Sequence, residues 1–273
     1  MNDNAKRTQA WLWLTVPIAV LTAIAAGSGL FIKGLYSASP TFVVAQTVGW
    51  DLVTLIIVLP ALIISAIIAG RKSQRARLIW LGMLVYLVYL YIWVPFTVHF
   101  NSMFLIYMAL LGCSSYALMG GLATSDLAGI KANFTEKTPV KVVSIVLGVM
   151  VVLGYIFWLT HIISAYIEGD IPQFAKWTET PTHAFYVLDM ALIFPAMGLA
   201  AVWLWRKRDL GYTLAGVLLT THLAAMLGVM SEMFSSVRYG HQTDIPPEFT
   251  IIVIIAAVTL GLLIWFLKEL KQG

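Results

Sequence analysis

Eight long apolar runs constrain the fold of this chain more than any other feature of its sequence. A helix needs about 20 mostly apolar residues to cross the hydrocarbon core of a bilayer, and each run has roughly that length. We therefore predict one all-α polytopic membrane domain, residues 1–273, with eight transmembrane helices. The predicted spans are Trp11–Ile32, Trp50–Ala69, Leu78–Val98, Ser102–Thr124, Val142–Tyr166, His183–Trp205, Gly211–Phe234 and Phe249–Leu267.

Composition excludes the soluble alternatives. Of the 273 residues, 60% are hydrophobic and 11% are charged, whereas soluble domains are about 45–50% apolar and about 25% charged. The apolar residues run continuously instead of alternating, which excludes an outer-membrane barrel. The first partner of the chain is therefore the lipid bilayer. The single cysteine, Cys113, excludes an intramolecular disulfide.

The distribution of basic residues predicts the topology. If the N-terminus is cytoplasmic, only Lys33, Lys176 and Arg238 fall in outer segments, which leaves 17 − 3 = 14 Lys and Arg inside. The positive-inside rule therefore places both termini in the cytoplasm and the protein in a plasma or inner membrane. The first run is too long for a signal-peptide core, so we predict an uncleaved signal anchor. Because the basic residues are scattered at helix ends, they do not indicate nucleic-acid binding.

Two prolines suggest an internal repeat. Pro60 precedes the pair Arg71-Lys72 by eleven residues, and Pro195 precedes Arg206-Lys207 by the same spacing, at an offset of 195 − 60 = 135. Each proline lies within a span, and each basic pair begins a short inner turn. The pattern predicts a 4+4 parallel pseudo-repeat about the membrane normal, with repeats 1–124 and 142–273. Coincidence stays open, because both features are common in membrane proteins.

An aspartate lies upstream of each proline, in Trp50-Asp51-Leu52 and in Leu188-Asp189-Met190. With the prolines and basic turns, these paired hairpins and the Phe100-Asn101 stretch resemble uncharacterised prokaryotic multi-pass membrane proteins. The resemblance implies the membrane fold only. It transfers no function and no catalytic residue.

Ionisable residues within membrane spans are costly and are therefore functional candidates. Most of them fall in the predicted outer leaflet. Asp51 is expected at the start of the second span, where an acid meets a favourable helix dipole, and Glu232 near the end of the seventh, where it does not. The predicted ligand-binding residues are Asp189, Asp51, Glu232, His161 and His183.

Asp189 is the strongest candidate, because it lies about 9 Å down the sixth span. Its helical neighbours supply only one hydroxyl, that of Tyr186. We therefore expect its partner on another helix, near Asp51 or an outer histidine. The third-span aromatics are assigned to packing and an interfacial belt, with a ligand cavity as the alternative; they are Tyr86, Tyr89, Tyr91 and Trp93.

Several functions remain open at the sequence level. A retinal protein is disfavoured because no span core contains a lysine, and one outer haem between His99, His161 and His183 remains open. The favoured hypothesis is small-molecule or ion binding or transport through an outward-facing polar cavity. The main alternative is a metal-dependent hydrolase that uses His161, His183, Asp189 and Asp51, although no HxxxH or HExxH spacing supports it. Sensor and scaffold roles, enzymatic activity, cofactors and oligomeric state are left open.

Overall fold

The computed structural model describes residues 10–271. Eight of its helices are long and apolar enough to cross a membrane, which confirms the predicted fold class. We name them in chain order: α1 Ala10–Phe31, α2 Thr41–Gly70, α3 Gln74–Thr97, α4 Phe104–Ala123, α5 Val140–Glu168, α6 Ala184–Trp205, α7 Asp209–Arg238 and α8 Glu248–Lys268. Within the described part of the chain there is no strand, only an isolated bridge between Phe134 and Leu270.

The α2 and α7 helices are longer than the predicted spans. Pro40 caps α2, which begins at Thr41 instead of Trp50, and α7 continues to Arg238 instead of Phe234. Each has 30 residues and is thus about 45 Å long, more than the roughly 30 Å of a hydrocarbon core. Asp51 and Glu232 therefore lie within helices. The expectation that Asp51 opens a helix and benefits from its N-terminal dipole is wrong.

The α3 and α7 helices form the centre of the bundle. They pack against each other, and α7 also contacts α2, α6 and α8. Their contact is close because α3 has a glycine at the crossing: a Cβ on Gly82 would lie 2.6 Å from the Cβ of Thr220. Beside it, the Thr221 hydroxyl donates to the Gly82 carbonyl over 2.9 Å. Small residues thus bring these backbones together, as is usual where lipid provides no hydrophobic driving force.

The two proline-containing helices share a backbone feature, which occurs twice at the same 135-residue offset as the prolines. A π-helical turn spans Thr54–Val58 in α2 and another spans Asp189–Ile193 in α6, 189 − 54 = 135 residues later. Each precedes its proline, and Lys72 and Lys207 of the following turns both have positive φ, 70° and 53°. The hairpins thus share local geometry. Superposition of the complete halves stays a prediction.

The two ends of the bundle differ in chemistry. The turns that carry Arg71 and Arg206 lie at one end, together with the loop between α4 and α5 and the C-terminal residues; we call this the basic end. There Arg75 Nε donates to the Leu270 carbonyl over 2.6 Å, and Lys131 forms a 2.9 Å ion pair with Asp209. The predicted site residues lie in the other half, towards what we call the opposite end.

Close packing between α2 and α7 generates the first prediction. A Cβ on Gly49 would lie 2.6 Å from the backbone Cα and N of Glu232, so Gly49→Ala must push the helices apart. We expect it to lower the unfolding free energy by about 1–3 kcal/mol, as overpacking usually does. Thermal unfolding in detergent measures this. The control is Gly27→Ala on α1, where nothing lies within 4 Å of the added carbon; equal effects of the two changes would contradict the packing argument.

Candidate functional site

Glu232 on α7 is held by two donors from α2. Gln46 Nε2 donates to Oε1 over 3.0 Å, and Trp50 Nε1 donates to Oε2 over 2.8 Å. Gln46 and Trp50 are four residues apart, so one face of α2 presents both groups to the same carboxylate. Trp50 fits there because Gly228 lies beneath it: a Cβ on that glycine would be 2.8 Å from the indole ring.

Asp189 on α6 is held from two further helices. The Tyr89 hydroxyl of α3 donates to Oδ1 over 2.9 Å, and Trp158 Nε1 of α5 donates to Oδ2 over 2.8 Å. The expectation of a partner on another helix is confirmed. The partners are a tyrosine and a tryptophan; neither Asp51 nor a histidine bonds to this carboxylate.

Asp51 forms a separate buried pair. The Tyr36 hydroxyl, in the turn after α1, donates to Oδ2 over 2.7 Å, and the Tyr107 hydroxyl lies 3.5 Å from that of Tyr36. A glycine on α1 leaves room for the pair, because a Cβ on Gly29 would lie 1.8 Å from the Asp51 oxygen. The carboxylate is 4% exposed and thus sealed between α1, α2 and α4.

None of these three carboxylates has a cationic partner within residues 10–271. The ion pairs of that part of the chain join Lys131 to Asp209 and Lys176 to Asp170. Neutral N–H and O–H donors satisfy carboxylate oxygens, but they do not cancel a charge. A buried charge without a counter-ion is strongly unfavourable. Each carboxylate therefore requires either a proton or an external cation.

Stacked rings connect the Glu232 and Asp189 sites. The Trp50 ring lies 6.3 Å from Tyr89 and 5.5 Å from Phe185. Phe185 stacks on Tyr89 at 5.1 Å with an interplanar angle of 8°, and Trp93 stacks on Phe185 at 5.1 Å. We call Trp50, Tyr89, Trp93 and Phe185 the aromatic wall. Two of its members are donors: Trp50 donates to Glu232, and Tyr89 donates to Asp189.

The two predicted histidines, His183 and His161, lie in different environments. His183 is buried, 1% exposed, and neither ring nitrogen has a hydrogen-bond partner among residues 10–271. Its ring lies 5.1 Å from Phe185 and 6.5 Å from Trp158. His161 is partly exposed, and its Nδ1 lies 2.8 Å from the Phe157 carbonyl of the same helix.

The proposed metal-ligand set is not assembled in the described chain. Between residues 10 and 271 no three His, Cys, Asp or Glu side chains are close enough to hold a metal ion. His161, His183, Asp189 and Asp51 therefore do not form one cluster in this arrangement of helices. Asp51 is enclosed by tyrosines, whereas Asp189 is held by Tyr89 and Trp158.

A short segment packs over this region at the opposite end. The helix Gln173–Thr178 places the Phe174 ring 5.4 Å from Trp158 and 5.6 Å from His183. Lys176 of this helix donates to the Asp170 carboxylate before it and lowers the pKa of that carboxyl group. Two surface grooves lie along α5 and α6, and none of the three acids lines them. The polar cavity expected from the sequence is thus not among these grooves.

Sequence reasoning missed the donors. The sequence assigns Tyr89 to packing and places Gln46 outside the second span. The spacing of Gln46 and Trp50 was a usable signal, because four residues place both on one helical face. Trp158 gave none, because a tryptophan in an apolar run is usually an interfacial anchor.

The Asp189 hydrogen bonds generate the second prediction. Tyr89→Phe leaves Oδ1 without its donor, so we expect the unfolding free energy to fall by about 1–3 kcal/mol. In an Asp189→Leu background, which has no acceptor, the same change should cost much less. Tyr116→Phe is the matched control, since Tyr116 is 63% exposed on α4. Equal costs in both backgrounds would show that the hydrogen bond contributes nothing.

Comparison with known proteins adds no relative. The sequence matches no protein-family model, no curated protein matches it, and no solved structure matches its fold. The resemblance noted from the hairpin motifs therefore stays a likeness of pattern. Function must be argued from the side chains of this chain itself.

Proposed function

We propose that the protein binds a small cation between α2, α3, α6 and α7, in the half of the membrane predicted to face outwards. One observation supports this most directly: Glu232 and Asp189 each accept two hydrogen bonds from neutral donors and neither has an ion pair in residues 10–271. Such carboxylates are oriented and desolvated but not neutralised. A bound cation would supply the missing charge.

The surrounding groups favour an organic monocation over a metal ion. Divalent metals need several oxygen or nitrogen ligands at short distance, and no three candidate side chains converge among the described residues. The aromatic wall instead presents indole, phenol and phenyl rings between the two acids. Aromatic faces attract ammonium groups, most strongly where water is excluded. The favoured ligand class is therefore a small amine in its protonated form or a quaternary ammonium ion.

The helices around the site have built-in bending points. Asp189 is the first residue of one π-helical turn, and the other begins three residues after Asp51. Pi turns interrupt the regular hydrogen-bond ladder and are frequent at functional sites, and a proline follows each one. In this structure the helices enclose the acids. We propose that they bend at these turns and so admit the ligand from the opposite end. Transport would require a second opening towards the basic end.

The hydrolase alternative has no comparable support. It requires metal ligands to gather near an open coordination position, and the closed arrangement does not gather them. Within the described residues, His183 still fits a metal-binding role, since both of its ring nitrogens lack a hydrogen-bond partner there. We therefore rank cation binding first.

Titration with tetramethylammonium and with sodium tests the proposal. Purified protein in lipid nanodiscs is expected to gain thermal stability with tetramethylammonium, and less with sodium. Asp189→Asn and Glu232→Gln keep the shape and remove the charge, so each should fold and lose this gain. Asp244→Asn, in the exposed loop before α8, should keep it. The gain should also shrink at acid pH, because protonation removes the charge that binds the cation.

Two results would overturn the proposal. One is the absence of any cation-dependent stabilisation in the wild-type protein. The other is an equal stabilisation in the Asp189→Asn and Asp244→Asn variants, which would show that the effect arises from non-specific ionic strength.

A further inference from the structure

A groove on the lipid-facing surface between α5 and α6 lies far from the three acids. It begins near the basic end, where its lining is partly polar, and the lining becomes almost entirely apolar further along α5. A second groove shares Ile145 and Gly148 with it and continues along α5 to Val152 and Leu153, so the two form one continuous groove. The first groove is lined by Ser144, Ile145, Gly148, Ala201, Val202, Trp205 and Arg206.

The shape of the groove suits a hydrocarbon chain. From Ile145 to Leu153 it follows α5 for about 12 Å. Gly148 forms an open part of its wall, since nothing lies within 4 Å of a Cβ placed there. The exposed side chains along it are aliphatic, including Ile145, Val149 and Val152. An acyl chain can therefore lie in the groove and meet polar groups only at the end near Ser144 and Arg206.

The end of the groove carries positive charge. Arg206 lines it there, and Lys141 lies one helical turn before Ile145 on the same face of α5. Both residues are exposed, and neither forms an ion pair or a side-chain hydrogen bond within residues 10–271. Ser144 lies about one turn further along α5 than Lys141; it is buried, and its hydroxyl has no hydrogen-bond partner within residues 10–271.

We infer that this groove binds one anionic phospholipid, with an acyl chain along α5 and its phosphate between Arg206 and Lys141. Two cations and an unpartnered hydroxyl match the oxygens of a phosphodiester. Basic pockets between transmembrane helices are suited to anionic headgroups. The inference does not depend on the proposed cation site, which lies at the other end of the bundle.

Retention of phosphatidylglycerol tests the inference. The protein is exchanged into vesicles that contain phosphatidylcholine and phosphatidylglycerol, extracted in mild detergent, and its bound lipids are counted by native mass spectrometry. We expect one phosphatidylglycerol per chain. Arg206→Gln should weaken retention about fivefold, the effect of one basic residue at an anionic lipid surface. Gly148→Leu should displace the chain by filling the groove.

Two matched controls accompany these variants. Arg71→Gln removes the residue 135 positions earlier (206 − 71 = 135), which is equally exposed and lines neither groove. Gly261→Leu adds the same side chain to α8, again where nothing lies within 4 Å. Both controls should retain the lipid.

Three outcomes would overturn the inference. Equal retention of phosphatidylcholine would remove the charge selectivity. Equal loss in Arg71→Gln would reduce the effect to general surface charge. Full retention by Gly148→Leu would place the lipid outside the groove. Unchanged thermal unfolding of each variant confirms that lost lipid does not reflect lost fold.

Discussion

The need to satisfy carboxylates inside a membrane governs the arrangement of the helices. Trp50 holds Glu232, Tyr36 holds Asp51, and Asp189 receives one bond each from Tyr89 and Trp158. Every one of these bonds joins two different segments of the chain. Without water, an unsatisfied polar group costs several kcal/mol, so the donors determine which helix faces which. Lipid itself distinguishes little between alternative packings of apolar helices.

Much of the fold was predictable because the bilayer imposes strong rules on sequence. Length and hydropathy identify eight spans, and their existence is confirmed. Helix ends were less predictable: Gln46 and Gly49 lower the hydropathy of the first turns of α2, although both contact Glu232 of α7. The acids could be identified as candidate site residues from residue type alone, because ionisable residues within membrane spans are costly. Their donors could not, because a tyrosine that bonds to Asp189 and one that only packs have the same sequence signature.

The repeated hairpins carry different chemistry on similar backbones. Thr54 and Asp189 occupy equivalent positions, each the first residue of a π-helical turn. The Thr54 hydroxyl pairs with Tyr86 over 3.0 Å, whereas Asp189 pairs with Tyr89 one turn further along α3. One half therefore has a neutral contact where the other has an ionisable one.

The π-helical turns also limit how this chain tolerates insertions and deletions. Such a turn holds one residue more than regular helix, and each residue corresponds to about 100° of rotation. Loss of a single residue between positions 189 and 193 would therefore restore regular helix without rotating the flanking turns. The same loss in the regular helix Phe194–Trp205 would rotate the preceding turns by that angle against the basic end of α6. In that second case His183 and Phe185 would lose their ring contacts, although the span would be only one residue shorter. A one-residue deletion between positions 194 and 205 would pass any hydropathy test, yet it would dismantle the site.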